Sequence, residues 1–275
     1  MRLRAVFLLI LGGLGGGLGT WGVILAQKPF KDYPVQEEHA AAELPPDWNQ
    51  PAEWTRARLK YTKSSFEHPL PWDTGRWGWT TDYPLCDRHT LAGIRRLTRI
   101  DTRSVEQVVE LDDTDDIYNW PFLYGVEVGH WTLSNQEADQ MREYLLRGGF
   151  FMTDDFHGTL EWKVFLEGIH KVFPNRPIVD IKDDDPIFHT VYDLDDRVQI
   201  PGAQFVFSGI PYEFDGFVPK WRAIYDDHGR IMVAICHNMD MGDAIEWSDD
   251  PRYPEKFSSM AYRIAVNYVM YDLTH

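Results

Sequence analysis

Residues 134–158, SNQEADQMREYLLRGGFFMTDDFHG, carry the clearest signal for the fold. Ser134 followed three positions later by Glu137 makes a capping box, which predicts the start of a helix. The glycine pair 148–149 predicts its end, because glycine readily takes the left-handed conformation that follows a helix. The apolar run 150–153 then predicts a buried strand, and two aspartates follow it directly. The stretch therefore indicates one helix–strand unit that ends in an acidic turn.

The same alternation of strand and helix patterns continues on both sides of this unit. Further strands are predicted at 56–61, 121–128 and 177–181, and further helices at 87–100, 161–173 and 257–271. Two late strand patterns flank the turn DHGR at 227–230 and predict a hairpin. This order predicts an α/β domain with a mainly parallel sheet, helices on both of its faces, and one antiparallel pair.

The first part of the chain differs from this pattern. Arg2 and Arg4 precede an uncharged stretch, 5–26, that is long enough to cross a bilayer as a helix. We predict that residues 1–27 form a retained membrane anchor or a cleaved signal segment, with the domain on the outer side of the membrane. Glycines spaced four residues apart favour the anchor, because they allow another helix to approach closely.

Residues 28–54 contain scattered prolines and no sustained periodicity, so we predict an extended tether with one helical turn near 37–42. The α/β domain then occupies residues 55–275. Cys86 and Cys236 are the only cysteines in the sequence, and they could form one disulfide or remain two buried thiols.

The charge of the chain is strongly acidic. It carries 27 Lys and Arg against 43 Asp and Glu, which gives a formal net charge of -16 at pH 7. Nucleic-acid binding depends on basic side chains that release the counterions of the phosphate backbone. We therefore expect no nucleic-acid partner.

Polar side chains follow the predicted strands at their carboxyl ends, where sheets of this kind bind ligands. The candidates are Glu127 and His130 from the strand at 121–128 and its loop, Asp154, Asp155 and His157 after the strand at 150–153, and His237, Asn238, Asp240, Asp243 and Glu246 after the late hairpin. Carboxylates and imidazoles can hold a metal that activates water, or act as general acid and base.

These candidates also have a purely structural interpretation. The aspartates could cap a following helix, and His237 could be a hydrogen-bonded histidine of the core. The sequence contains no H-E-x-x-H, EF-hand, phosphate-loop or nucleophile-elbow motif. We therefore expect no particular metal or cofactor from the sequence.

A long loop, 62–86, follows the first predicted strand and is rich in aromatic residues. It contains Trp72, Trp77, Trp79 and Tyr83. Trp and Tyr dominate binding hot spots, so the loop could bind a carbohydrate or dock a protein. It could equally be a lid that packs on the core of its own domain.

Several segments together resemble a known family, among them WTTDYPLCDRHTLAGIRRLTRI, LSNQEADQMREYLLRGGFFMTDDFHG and AICHNMDMGDAIEWSDDPRYPEKF. They are similar to an uncharacterised bacterial family, domain of unknown function 4159, over roughly residues 54–275. That family resembles the class I glutamine amidotransferase-like superfamily in fold. The resemblance implies a flavodoxin-like sheet with a nucleophilic cysteine at the sharp turn after the strand at 150–153.

The position of that cysteine falls at or next to Asp155 when it is counted from the glycine pair 148–149. An aspartate cannot form the thioester that amidotransferases use. The resemblance therefore implies that the inherited active site was lost or rebuilt at this turn.

We expect a non-catalytic binding or scaffold subunit at the periplasmic face of the bacterial inner membrane, within a larger membrane complex such as a respiratory or photosynthetic assembly. The N-terminal helix and the aromatic loop would contact an integral membrane partner. The alternative is a cell-envelope hydrolase that uses Asp155 and His157, with or without a metal, or a carbohydrate-binding protein.

Overall fold

The computed structural model describes residues 27–65, 78–112 and 114–275 of the chain. The predicted anchor or signal segment lies outside these residues, apart from Gln27. Within the described ranges, no helix is both long enough and apolar enough to span a bilayer.

The described residues form nine strands and six α-helices. The strands are β1 (Ala57–Lys60), β2 (Thr62–Lys63), β3 (Gln107–Glu110), β4 (Phe122–Val126), β5 (Trp131–Thr132), β6 (Phe150–Asp154), β7 (Val179–Asp180), β8 (Lys220–Tyr225) and β9 (Ile231–His237). The helices are α1 (Leu85–Leu97), α2 (Asn135–Leu146), α3 (Gly158–Val172), α4 (Gln204–Ser208), α5 (Met241–Glu246) and α6 (Glu255–Thr274).

Seven of these strands form one sheet in the order β3-β1-β4-β6-β9-β8-β7. The first five run parallel, β8 pairs antiparallel with β9, and β7 pairs antiparallel with β8 at the edge of the sheet. The predicted α/β class and mainly parallel sheet are confirmed. One antiparallel strand pair was predicted in this sheet, whereas the sheet contains two, because β7 also pairs antiparallel with β8.

Both faces of the sheet are buried, as the alternation of side chains along a strand requires. On β4, Phe122 and Tyr124 face the core with α1, α5 and α6, whereas Leu123 faces the core with α2 and α3. On β6, Phe150 faces the core with α1, α5 and α6, and Phe151 faces the core with α2 and α3. Each such side chain contributes roughly 1.5–3 kcal/mol by its burial.

The capping box that predicted α2 is present. Ser134 Oγ accepts a hydrogen bond from Glu137 N at 3.2 Å, and Glu137 Oε2 accepts one from Ser134 N at 2.6 Å. Gly148 follows the helix with φ +111°, a value that side chains disfavour. At Gly149 a Cβ would overlap the ring of Tyr144, so the close passage from α2 into β6 also depends on glycine.

The segment 28–54, predicted as a tether, contains the expected helical turn as a 3-10 helix at Glu38–Ala40. It packs against the α/β domain of its own chain. Arg88 Nη1 donates to the carbonyl oxygens of Ala42 and Glu43 at 2.8 and 3.1 Å, and the ring of Tyr33 contacts Trp79 edge-on. This segment is therefore placed to contribute residues to a site on the domain.

Candidate functional site

A pocket of about 580 Å³ opens beyond the carboxyl ends of β4, β6 and β9. Eight carboxylates line it, together with two histidines, and no lysine or arginine is found among its described lining residues. The carboxylates are those of Glu37, Asp82, Glu127, Asp155, Glu161, Glu213, Asp240 and Asp243. This excess of negative charge at the binding edge of the sheet identifies the pocket as the candidate site.

Asp155 enters this pocket because the chain turns sharply after β6. Its backbone is left-handed, with φ 51°, and its N–H donates to Met239 O at 2.8 Å. Its Oδ1 lies 3.3 Å from Nε2 of His157. The N–H of His157 in turn donates to Glu161 Oε2 in the first turn of α3.

Left-handed backbone is concentrated around the pocket. Among the described residues other than glycine, five have positive φ, and four of them line it. These four are Asp82 (59°), Glu127 (52°), Asp155 (51°) and Phe214 (46°). Such conformations cost about 1–3 kcal/mol each and are typical of functional sites, where they hold side chains in place before a ligand binds.

Asp154, the neighbour of Asp155, does not face the pocket. Its Oδ2 accepts a hydrogen bond from Met241 N at 2.9 Å, and it lines a small separate cavity with Arg56. Burial raises the pKa of Asp154, while Tyr124 and Arg56 act against this shift. The sequence candidates Asp154 and Asp155 are thus separated by the structure, and Asp154 holds the start of α5.

His237 is not among the residues that line the pocket. Its ring packs against both Phe156 and Trp162, with ring centres 4.9 and 4.8 Å away, and its Nε2 lies 3.1 Å from Gly158 O. Burial lowers the pKa of His237 to about 3, so the imidazole is neutral. Neutral Nε2–H donates to the carbonyl, and His237 supports the start of α3.

Asp240 and Asp243 are brought to the pocket by the short helix α5. Asp240 Oδ1 caps this helix by accepting from Asp243 N at 2.7 Å. Asp243 Oδ2 accepts from Ala203 N at 2.6 Å. A Cβ at Gly202 would overlap Asp240 Oδ2, so glycine allows this carboxylate to lie against the backbone.

Asp82 is a pocket residue that the sequence analysis missed. It lies just before α1, and its N–H donates to Glu37 Oε2 at 2.8 Å. Its Oδ2 is buried and has no hydrogen-bond partner among the described residues. A usable signal existed, because the loop from β1 to α1 must return at the carboxyl edge of the sheet.

The carboxylates of the pocket raise one another's pKa values. Burial raises the pKa of Asp82 and of Asp240 well above its usual range, and neighbouring carboxylates add to the effect. Burial raises the pKa of Asp155 to about 8, although His157 acts against this shift. Burial lowers the pKa of His157, but Glu213 and Asp155 outweigh it and raise the value to about 9. A cation among these groups would relieve their repulsion.

Three sets of side chains have the spacing of a metal site, each with one ligand atom per residue and all such atoms within 4.8 Å of one another. They are Asp82, Asp155 and Asp240; Asp82, Asp243 and Glu246; and Glu127, His130 and Glu161. Opposite ligands of a divalent cation lie about 4.0–5.2 Å apart, twice the metal–oxygen distance. The sequence led us to expect no metal, whereas this donor geometry is compatible with one.

His130, a candidate from the sequence, lies beside the pocket. Its Nε2 is 3.5 Å from Glu127 Oε2 and 3.5 Å from Glu161 Oε1, and all three residues are buried. Tyr61 OH donates to the carbonyl oxygens of Val126 and Glu127, at 3.0 and 2.7 Å, and holds the end of β4. His130 therefore bridges two carboxylates of the pocket wall.

The aromatic candidates are only partly described. Trp72 and Trp77 lie outside the described residues. Trp79 is half-buried and Tyr83 is fully buried, and both rings pack against Tyr33 of the segment 28–54. These two residues join the N-terminal segment to the domain.

Neither cysteine provides a nucleophile at the pocket. Cys86 and Cys236 are buried and are not joined in a disulfide. Burial raises the pKa of both thiols, that of Cys86 to about 11. Both therefore remain protonated at neutral pH, and the turn after β6 carries Asp155 instead.

Comparison with known proteins identifies one relationship. The sequence model of a family described as a domain of unknown function, DUF4159, matches residues 57–273. No curated protein matches the chain. Glu37 and His39, which line the pocket, precede the matched residues.

Proposed function

The chain belongs to the DUF4159 family, a domain of unknown function, and we propose that it is a divalent-cation-dependent hydrolase of the cell envelope. The observation that carries the proposal is the convergence of Asp82, Asp155 and Asp240, whose ligand oxygens lie within 4.8 Å of one another in a buried pocket. Carboxylate oxygens are the ligands that Mg²⁺, Mn²⁺ and Ca²⁺ prefer.

The chemistry follows from the donor set and its neighbours. A divalent cation lowers the pKa of bound water, so that it becomes a nucleophile at neutral pH. Asp82, Asp155 and Asp240 would hold the cation. His157 lines the same pocket, and its Nε2 lies 3.3 Å from Asp155 Oδ1, so it would stand beside the cation as the candidate general acid.

The sheet of this hydrolase belongs, in our proposal, to the flavodoxin-like, class I amidotransferase-like type. The order β3-β1-β4-β6-β9 of its parallel strands supports this, because it corresponds to 2-1-3-4-5 in chain order. The left-handed turn at Asp155 supports it as well, since this is the position at which a nucleophile would stand. In that case the acidic pocket replaces an active site built on cysteine.

The test uses the purified full chain, stripped of metal with a chelator and assayed with and without Mn²⁺ on nitrophenyl acetate, phosphate and glucoside. We expect turnover that depends on Mn²⁺ on at least one of these substrates. Asp155→Asn should abolish it, whereas Asp184→Asn, an exposed aspartate outside the pocket, should retain it. Absence of turnover on all three substrates, together with no effect of Mn²⁺ on the melting temperature, would contradict the proposal.

A second candidate is a scaffold subunit of a membrane complex at the periplasmic face of the inner membrane, held by residues 1–27. The exposed apolar surface beside the pocket favours it, with Phe207 72%, Phe217 58% and Val218 55% exposed. Gentle solubilisation of native membranes should then recover the chain in a stable complex, and Phe207→Ser with Phe217→Ser should release it. Recovery of the unmodified chain alone would contradict this role.

A further inference from the structure

We infer that the pocket holds two divalent cations that share Asp82, the second one bound by Asp82, Asp243 and Glu246. This inference rests on the proposed cation-dependent function and specifies its metal centre. The second set meets the same spacing criterion as the first, with one ligand oxygen of each residue within 4.8 Å of the others.

The sharing of Asp82 is the first argument for two ions. A carboxylate has two oxygens, and a bridging carboxylate can give one to each of two cations. In two-metal hydrolytic sites the ions lie roughly 3.5–4 Å apart. Asp82 belongs to both sets, and the remaining ligands are different side chains, Asp155 with Asp240 and Asp243 with Glu246.

The second argument is independent of the spacing, and it comes from the oxygens that have no partner. Asp82 is 2% exposed and its Oδ2 accepts no hydrogen bond from the described residues, although Asp82 lines the pocket. Glu246 is also 2% exposed; its Oε2 lies 3.4 Å from His39 Nε2, and its Oε1 accepts no hydrogen bond within the described part of the chain. A buried carboxylate without partners is costly, and a cation supplies both charge and ligation.

The surroundings fit a bound cation at this second position. A Cβ at Gly242 would overlap Asp82 Oδ2, so the first turn of α5 leaves room for this carboxylate. His39 Nε2 lies 3.4 Å from Glu246 Oε2, which places an imidazole beside the oxygen donors. The three ligands of this second position are carboxylates, which suit Mg²⁺, Ca²⁺ and Mn²⁺.

Two residues that lie beside these ligands come from outside the part of the chain that matches the family. Glu37 fixes the backbone of Asp82 through the 2.8 Å hydrogen bond to its N–H, and His39 reaches Glu246. Both precede residue 57, where the match begins. The N-terminal segment therefore supports Asp82, which belongs to both ion positions, and contacts Glu246, which belongs to the second.

The experiment counts Mn²⁺ bound to the metal-free full chain by equilibrium dialysis at pH 7.5, with the EPR spectrum as a second readout. We expect two Mn²⁺ per chain and a spin-coupled spectrum, because ions bridged by a carboxylate interact magnetically. Glu246→Gln should bind one Mn²⁺ and show the spectrum of an isolated ion. Asp184→Asn, the exposed control, should behave as the unmodified chain.

The outcomes separate the two proposals. One Mn²⁺ per chain, unchanged by Glu246→Gln, overturns the second ion and leaves the hydrolase proposal standing. No bound Mn²⁺ overturns both, and it would mean that protons alone satisfy the carboxylates. If Glu246→Gln does not fold, as judged by circular dichroism, Asp243→Asn serves in its place and should lose the same ion.

Discussion

Asp155 Oδ1 lies 3.3 Å from Nε2 of His157, within the turn that joins β6 to α3. The preceding residue, Asp154, points away and holds the start of α5 instead. Adjacent carboxylates therefore have different roles, because Asp154 is the last residue of β6, whereas the backbone of Asp155 turns into the left-handed conformation with φ 51°. Of the two aspartates in the acidic turn, Asp154 has a structural role and Asp155 faces the pocket.

The first prediction concerns the ion bound by Asp155. Asp155→Asn removes one ligand oxygen, so Mn²⁺ should stabilise the variant much less than the unmodified protein. At a concentration 100 times its dissociation constant, a ligand stabilises the folded state by about 2.7 kcal/mol. Calorimetric melting with and without Mn²⁺ measures the difference. An equal gain in both proteins would show that Asp155 does not bind the ion.

The second prediction concerns the space beside Asp82. In Gly242→Ala the new methyl group would overlap Asp82 Oδ2 and displace the carboxylate. We expect Mn²⁺ affinity to fall at least about 10-fold, as it does when the support of a ligand is lost. Without Mn²⁺, the free energy of unfolding should change little. Alanine favours a helix over glycine by about 1 kcal/mol, which offsets the cost of displacing the carboxylate.

Gly78→Ala is the matched control for Gly242→Ala. Among the described residues, a Cβ at Gly78 meets only Tyr61 OH, at 3.9 Å, so the substitution fits there without displacement. Isothermal titration with Mn²⁺ compares the two variants. Retained affinity in Gly242→Ala would show that Asp82 needs no such space to bind the ion.

The third prediction concerns pH and Asp272 in α6, far from the metal ligands in sequence. Burial raises the pKa of Asp272 to about 7 from the ordinary 3.8, and Arg230 only partly offsets this. The folded state binds this proton more tightly than the unfolded state does, so the protonated carboxyl group of Asp272 contributes its full stabilisation below pH 4. That stabilisation is lost as the pH rises through 7.

Asp272→Asn removes this dependence on pH. We expect the variant to exceed the unmodified protein by about 2 kcal/mol in free energy of unfolding at pH 8, and to match it at pH 4. Urea unfolding at the two pH values tests this, with Asp184→Asn as the exposed control. A gain of the same size at both pH values would show that charge is not the cause.

The fourth prediction concerns the capping box of α2. Ser134→Ala removes the acceptor for Glu137 N, and the loss of such a cap costs about 1 kcal/mol. Gln136→Ala, in the same exposed turn, should stay within about 0.5 kcal/mol of the unmodified protein. Chemical denaturation gives both values. Equal effects would mean that the box does not stabilise the helix.

Local chemistry explains which elements could be predicted. The capping box and the glycine pair 148–149 placed α2 and β6 to within about a residue, because caps and breakers act on their immediate neighbours. The short elements β3 and α5 were missed, since four to six residues carry too little periodicity to stand out. Their formation depends on pairing with β1 and on packing against α1 and α6.

The residues of the candidate site, too, could be predicted only in part. Asp155, His157, Asp240 and Asp243 were candidates because they follow strands, and the structure brings them to one pocket. Asp82, Glu37, Glu161 and Glu213 were not candidates, although they line it too. Glu37 reaches the pocket only because the N-terminal segment packs against the domain, a contact that no local pattern indicates.

By itself, the sequence determined the α/β class, the capped helix, the acidic turn after β6 and the absence of a cysteine from that turn. These are properties of neighbouring residues, set by backbone conformation and side-chain chemistry. Only the tertiary structure decided that Asp155 faces a pocket while Asp154 and His237 support helices. The reason is physical, because carboxylates from Glu37 to Asp243 meet only when the crossovers of the sheet bring separate loops to one edge.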